Sequence, residues 1–518
     1  MTTVTDPVEM AAERDPGRWM VLAAAIMATL ATVLDGTLMG LIAPAVSADL
    51  GVDPATIGLI STISVLMMAA FILGGGTLGD IYGRKRFLIY GLIGLIITSV
   101  LAFVAPSAAI LIPVRALAGI TSAVVNPLAL AVITLVFDKE ERPKAMGLYG
   151  AAIGIVGGGG TLVISFLNQQ FGWRSTFFLG GVLAAVALLM VVRFVQESKA
   201  ASGKVVDWLG ILLTAAGLFG VIFGINQAAT QGFASPAVLV PVGIGLVVLV
   251  ILVLYSRKKV DPALQLVLFK KPVFSVGVLI WAMISFAAMG PFFQLSRYLQ
   301  WLQKVTPIQA ALTLLPFTLA MFVFAILAGQ WTVKYGSKLL ITGGLVVMAV
   351  GLVAMGFLLS PTAAFWVFLL PLAFLGGGYS IANTPRLSAV LGSAPPELAG
   401  SASATNNAIG QLGSALGIAT MGALFQGFAR GTYNADLVEM GFSTEQIAKS
   451  IEVLREWLKT NSVDVAAQFG ITVRQLEGAV AEYQHAFTTG VSMILWVGAA
   501  VVVVGAVLAW LTFGKSEG

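Results

Sequence analysis

The chain has 518 residues, 58% of them hydrophobic and 10% charged, with a mean hydropathy of +0.96. Globular chains are about a quarter charged, so a soluble fold could not bury this much apolar surface, and soluble enzymes are excluded. Cysteine is absent, which removes disulfides, thiol catalysis and thiolate metal sites; the single histidine, His485, excludes a histidine metal cluster. Residues 1–18 are polar, and the apolar run after them is too long for a signal h-region, so it is expected to stay in the membrane.

Only helices or closed barrels satisfy their backbone groups in lipid, and a helix needs roughly 20 apolar residues to cross. In chain order such runs fall at 19–43, 57–77, 87–106, 110–136, 145–167, 175–195, 206–227, 236–256, 273–296, 308–331, 338–359, 364–391, 401–427 and 487–513. These predict 14 spans. Loop Lys and Arg set orientation. With the N-terminus in the cytoplasm, 19 basic residues fall inside, while the short outer loops hold only Arg174, Arg297 and Lys304. The net charge of +5 therefore reads as topology, and no nucleic-acid partner is expected.

Gly76-Thr-Leu-Gly-Asp-Ile-Tyr82-Gly83-Arg-Lys85 repeats as Gly329-Gln-Trp-Thr-Val-Lys-Tyr335-Gly336-Ser-Lys338, 253 residues later. Removing one extra helix pair leaves two halves of six spans, the duplicated plan of secondary transporters that rock one half against the other. The expected division is a cytoplasmic tail at 1–18, an N-terminal bundle at 19–200, an inserted helix pair at 201–260 and a C-terminal bundle at 261–518.

The first copy, continuing to Arg86, resembles the inner-loop signature of the major facilitator superfamily. Arg115-Ala-Leu-Ala-Gly119 is similar to its arginine-containing second motif, and Leu34-Asp35-Gly-Thr37 resembles the Leu-Asp-x-Thr of its 14-span drug:proton antiporters. Phe171-Gly-Trp-Arg174, Asp207-Trp-Leu-Gly210, Gly400-Ser-Ala-Ser403, Asn406-Asn407 and Gln411-Leu-Gly413 fit the same subfamily. The resemblance implies an all-α membrane protein of the major facilitator fold, two six-helix bundles plus two inserted helices. It also implies proton-driven export of apolar, often cationic compounds. Two departures stand against it. Span 5 reads Gly160-Thr161-Leu-Val-Ile164-Ser165 where the antiporter motif Gly-Pro-x-x-Gly-Gly is expected, with its glycines upstream at Gly154 and Gly157 to Gly160. The later spans also carry no acid, which some such exporters have there. Antiport and other transport modes stay open on this ground.

Asp35 is the one acid deep in a span, and a carboxylate at mid-bilayer costs about 2.5–3.5 kcal/mol on insertion scales. Arg115 matches its depth from the outer side and is the expected partner; Arg386 sits nearer an inner end and is expected to reach water or headgroups. Burial favours a protonated acid and a nearby guanidinium the carboxylate, so proton affinity can follow the distance between them. Asp35 and Arg115 are thus the proton-coupling candidates, with a structural pin between spans 1 and 4 as the other reading.

Gly76, Gly83 and the glycines Gly154, Gly157 and Gly160 are expected to permit close packing and gating. Asp80 is expected to cap a helix or bind a base when the inner gate shuts, with Arg84 and Lys85 as gate contacts or membrane anchors. Val333 replaces the acid in the second copy, so that contact belongs to the first half. Cavity candidates are Asp35, Met39, Asn126, Phe286, Met289, Phe293, Gln294, Asn383, Asn406, Asn407 and Gln411, each equally open to plain interhelical bonding or packing.

Residues 428–486 alone have soluble composition. Ser443-Thr-Glu-Gln446 and Thr472-Val-Arg-Gln475 read as capping boxes, and Phe469-Gly470 as a stop, predicting an extracytoplasmic helical hairpin. The function expected is proton-coupled export of amphiphilic small molecules by a multi-pass protein of the cell membrane. It would act as a monomer with both termini cytoplasmic. A lipid or metabolite exporter, or a non-transporting receptor or scaffold, are the alternatives. No enzyme, metal or cofactor is implied, and Gly157 to Gly160 lacks the strand and Lys-Ser/Thr of a nucleotide loop.

Overall fold

Apolar runs broken by short polar loops become helices because lipid offers the backbone no hydrogen bonds, so each segment must satisfy its own. The computed structural model describes residues 17–138, 140–155, 160–199, 206–232, 234–259, 261–303, 305, 312–439, 444–460, 464 and 472–514. Among them the long elements are all helices: α1 Arg18–Leu50, α2 Pro54–Tyr82, α3 Arg84–Phe103, α4 Ala108–Val136, α5 Arg142–Ile155, α6 Thr161–Phe171, α7 Arg174–Phe194 and α8 Trp208–Gln231. There follow α9 Pro236–Ser256, α10 Pro272–Arg297, α11 Leu315–Tyr335, α12 Ser337–Leu358, α13 Leu369–Ser393, α14 Ala399–Glu439, α15 Thr444–Thr460 and α16 Val473–Thr512. Thirteen of these are long and apolar enough to cross a membrane. Of the expected span 5 the described residues form α5 and α6, of 14 and 11 residues. The glycine run falls between them, and Gly157 lies outside the described residues.

Side chains of α1, α3, α4, α5 and α7 share one core with Phe274 and Val278 of α10, Leu387 and Val390 of α13 and Ala402 of α14. These α10, α13 and α14 residues lie toward the ends that the charge count assigns to the cytoplasm, so the core there runs across the seam between the chain's two halves. Toward the other end the core splits. Leu34, Leu38, Ile42, Leu111, Trp173 and Phe177 form one cluster, and Ile284, Leu295, Leu352, Phe425 and Ile494 belong to another. α8 and α9 pack on each other, and α8 also touches α2 and α14, placing that pair beside the seam.

The outer segment departs from a separate hairpin. α14 runs on unbroken for 41 residues and α16 for 40. Tyr433, Leu437 and Ala486 on these extensions pack with Ile447 and Leu454 of α15. Thr472 immediately precedes α16 as the capping reading requires, while Ser443 and Phe469-Gly470 lie outside the described residues. Helix needs only its own backbone bonds, so the drop in hydropathy does not end the two membrane helices where composition suggested.

Candidate functional site

Asp35 and Arg115 come together. Arg115 Nη1 donates to Asp35 Oδ1 at 2.5 Å, Nη2 donates to the Asp35 carbonyl at 3.1 Å, and the Ser64 hydroxyl of α2 donates to Oδ2 at 3.1 Å. The Arg115 side chain is 1% exposed and that of Asp35 12%. The Phe177 ring lies 5.8 Å from the guanidinium carbon, and Arg115 Nε has no hydrogen-bond partner. Thr37 turns back to the carbonyls of Val33 and Leu34 and adds nothing to the pair. Three helices converge here through one acid, and such an arrangement can hold or release a proton as their spacing changes.

Asp80 makes the second cluster. Arg84, one turn on, donates to Asp80 Oδ1 from Nε at 2.8 Å, and its Nη2 lies 2.7 Å from the same oxygen. The backbone N–H of Gly400 donates to Oδ1 at 2.9 Å, that of Ser401 to Oδ2 at 2.7 Å, and the Ser401 hydroxyl to Oδ2 at 2.9 Å. Asp80 thus sits at the N-terminus of α14, where free N–H groups and the helix dipole favour an anion. Arg84 reaches across to the Pro396 carbonyl at 2.7 Å, so acid and base both join the halves. A Cβ at Gly76 would lie 2.5 Å from the Gly400 carbonyl oxygen, and one at Gly329, its counterpart in the repeat, 2.5 Å from that of Pro143. Gly154 packs on Met321, while Gly160 continues helical geometry into α6. Gly83 adopts φ 119°, which only glycine takes readily, and Glu197 accepts the exposed N–H groups of Lys85 and Arg86 beside it at 3.1 and 3.2 Å. Lys85 Nζ donates to the Val192 carbonyl and makes no contact across the seam.

The cavity candidates divide. Met39 is 1% exposed within the apolar cluster of α1, α4 and α7, so it is core and not lining: one helix face there carries Leu38, Ile42 and Val46 inward with it. Asn126 accepts from Thr32 at 2.9 Å and donates to Met68 Sδ, linking α1, α2 and α4. Gln294 is buried and accepts from Arg297 at 3.5 Å; Phe286 packs against the second-half core; Met289 is 38% exposed. Asn407 and Gln411 are half-buried, and the Phe293 side chain lies outside what the structure describes. Asn383 and Asn406 are joined by Arg386, which is 0% exposed and does not reach water or headgroups as its depth had suggested.

Two motif roles were missed at the sequence level. Asp207 caps α8 through the Gly210 N–H at 3.0 Å and also accepts the Tyr255 hydroxyl at 2.7 Å and the Ala263 N–H at 3.0 Å, fastening α8 to α9 and to the chain after it. At the opposite end Arg174 and Trp173 donate to Asp49 at 2.6 and 3.2 Å, and these donors hold that carboxyl below its usual range. Both could have been found from the spacing: an acid three before a glycine at a helix start, and an arginine after a turn glycine.

The sequence profile described as Major Facilitator Superfamily matches residues 24–418. The chain is 30% identical to the "Probable actinorhodin transporter" of Streptomyces coelicolor, over 95% of this chain and 91% of that one. It is 30% identical to "Puromycin resistance protein pur8" of Streptomyces alboniger, over 83% and 86%. Its fold is similar to that of the proton:xylose symporter XylE, with a TM-score of 0.59, 16% identity and 96% of each chain covered. A helical multi-pass architecture, the repeated glycine-bearing loop and these likenesses agree: the chain is a membrane transporter and belongs to the Major Facilitator Superfamily.

Proposed function

We propose that the protein is a proton-coupled antiporter that exports amphiphilic small molecules by alternating access, with Asp35 as the proton-carrying group. The observation that carries this reading is the Asp35–Arg115–Ser64 contact, a membrane-embedded carboxylate held between three helices with 12% of its side chain still exposed. Separation from Arg115 would favour proton uptake and renewed contact proton release, which ties protonation to helix movement. The names of the relatives, a transporter of one antibiotic and a resistance protein for another, support drug-like cargo.

The two bundles are proposed to be 19–200 and 261–518, flanking the inserted pair at 201–260, with the Asp80 end and both termini cytoplasmic and a monomer as the working unit. The Asp80 cap on α14 and the Gly76–Gly400 and Gly329–Pro143 contacts support a state closed to the cytoplasm. Loss of these contacts would open that side to cargo. The test is substrate-driven proton movement in proteoliposomes. Wild type should acidify or alkalinise the lumen on addition of an exported compound, and Asp35→Asn should not. Gradient-driven uphill flux by Asp35→Asn would remove Asp35 from the mechanism.

A further inference from the structure

From residue 262 to residue 435 the sequence contains one carboxylate, Glu397, and that side chain is exposed. The membrane helices α10 to α13 therefore contain no acid to neutralise Arg386. Its hydrogen bonds run to neutral acceptors: Nε and Nη2 to Asn383 Oδ1 at 3.0 and 2.8 Å, and Nη1 to the Gly277 carbonyl at 3.1 Å and to Asn406 Oδ1 at 2.9 Å. The first half differs, for its buried arginines Arg115 and Arg84 each hold an aspartate.

The surroundings of Arg386 lack acceptors in a second way. Trp281 lies over the guanidinium at 4.9 Å, and its buried Nε1–H, packed against Gly410, has no partner. The hydroxyl of Ser403, 0% exposed and one turn before Asn406, has none either. From this corner aromatic rings continue through Tyr379, 6.1 Å from Trp281, to Phe317 at 6.5 Å and Phe292 at a further 5.5 Å. Trp281 and Tyr379 are only half-buried. A fixed positive charge, an indole N–H without an acceptor and a row of ring faces match a flat molecule that carries a negative group.

We propose that Arg386 and Trp281 form the charge-reading subsite of the transported molecule, and that this molecule is a flat aromatic acid: a carboxylate, sulfonate or phenolate on a ring system. The inference rests on the export reading only for the direction of transport. The amide oxygens of Asn383 and Asn406 stand where the substrate's oxygens would bind. Asn406 is on α14, the helix whose N-terminus Asp80 holds, so release of that cap moves Asn406 and uncovers the guanidinium as the same end opens. Cationic amphiphiles meet an uncompensated like charge and are disfavoured.

Fluorescein and rhodamine 123 share a xanthene ring system and differ in charge, so they separate charge from shape. Fluorescence anisotropy is measured with the purified full-length protein in nanodiscs, with no proton gradient. Fluorescein should bind saturably and rhodamine 123 at least about tenfold more weakly, Arg386→Gln should weaken fluorescein by a similar factor, and Arg386→Lys, which keeps the charge but loses the planar fork and its stacking on Trp281, should weaken it by less. Trp281→Phe keeps an aromatic face, though a smaller one, and removes the N–H, and should weaken fluorescein by about threefold with less effect on rhodamine 123. Rhodamine 123 binding as tightly as fluorescein to wild type, or Arg386→Gln leaving fluorescein unchanged, overturns the proposal. Should Arg386→Gln not fold, the wild-type comparison and Trp281→Phe decide it. Failure of the export reading would show differently, as intact fluorescein binding without gradient-driven flux.

Discussion

Arg115 on α4 and Asp35 on α1 are 2.5 Å apart, and Ser64 on α2 closes the other side of the carboxylate. Removing one member of a buried pair leaves the other charge stranded, at about 3–5 kcal/mol, whereas removing both is often nearly neutral. Arg115→Leu should therefore lower the thermal midpoint strongly, and Arg115→Leu with Asp35→Asn should recover much of it. Proton-coupled transport should stay absent in both. Recovery of transport along with stability in the double variant would reduce the pair to a structural pin.

Asp80 joins the two halves through Gly400 and Ser401 while pairing with Arg84. Asp80→Asn keeps one acceptor oxygen and loses the charge, which at a helix N-terminus is worth about 0.5–2 kcal/mol. Ala404, 0% exposed beneath Gly76, reports the change, because the chain has no cysteine of its own. Ala404→Cys should react slowly with a thiol reagent in the parent protein and several times faster with Asp80→Asn added. Equal rates would show that Asp80 does not hold this end shut.

What the sequence made legible follows from what the physics makes local. Span number and the Asp35–Arg115 match could be read because lipid demands long apolar helices and because depth along a helix is a matter of counting residues. Arg386 was misplaced by the same counting: its distance from the helix end is short, yet Asn383, Asn406, the Gly277 carbonyl and Trp281 come from three helices to enclose it. Met39 failed for a related reason, since which face of α1 meets α4 and α7 is fixed by packing. The reach of α14 and α16 beyond the membrane was hidden because polar residues are good helix formers wherever a neighbour such as α15 covers their apolar face.

The glycines at the seam give a steric counterpart to the Asp80 experiment. A side chain at Gly76 meets backbone oxygen of Gly400 at 2.5 Å, and backbone cannot swing aside as a side chain does, whereas a Cβ at Gly343 has nothing within 4 Å. Gly76→Ala should speed labelling of Ala404→Cys as Asp80→Asn does. Gly343→Ala should leave labelling unchanged and stabilise α12 by up to about 1 kcal/mol through helix propensity. A Gly76→Ala protein that labels as slowly as its parent would mean that this contact does not set the closed state.

Asp207 offers a prediction confined to α8 and α9. Its carboxylate accepts from the Gly210 N–H, the Tyr255 hydroxyl and the Ala263 N–H, so it caps α8, ties down the end of α9 and orders the chain leading to α10. Each such bond contributes on the order of 1 kcal/mol net. Tyr255→Phe should cost about that much and Asp207→Ala about two to three times more, read from the thermal midpoint of the purified protein. Because α8 packs mainly on α9, α2 and α14, while Asp35 is on α1 and Arg386 on α13, fluorescein binding should survive both changes at temperatures where the protein is folded. Loss of binding in Tyr255→Phe would mean that the α8–α9 pair shapes the cargo site and is more than a brace beside the seam.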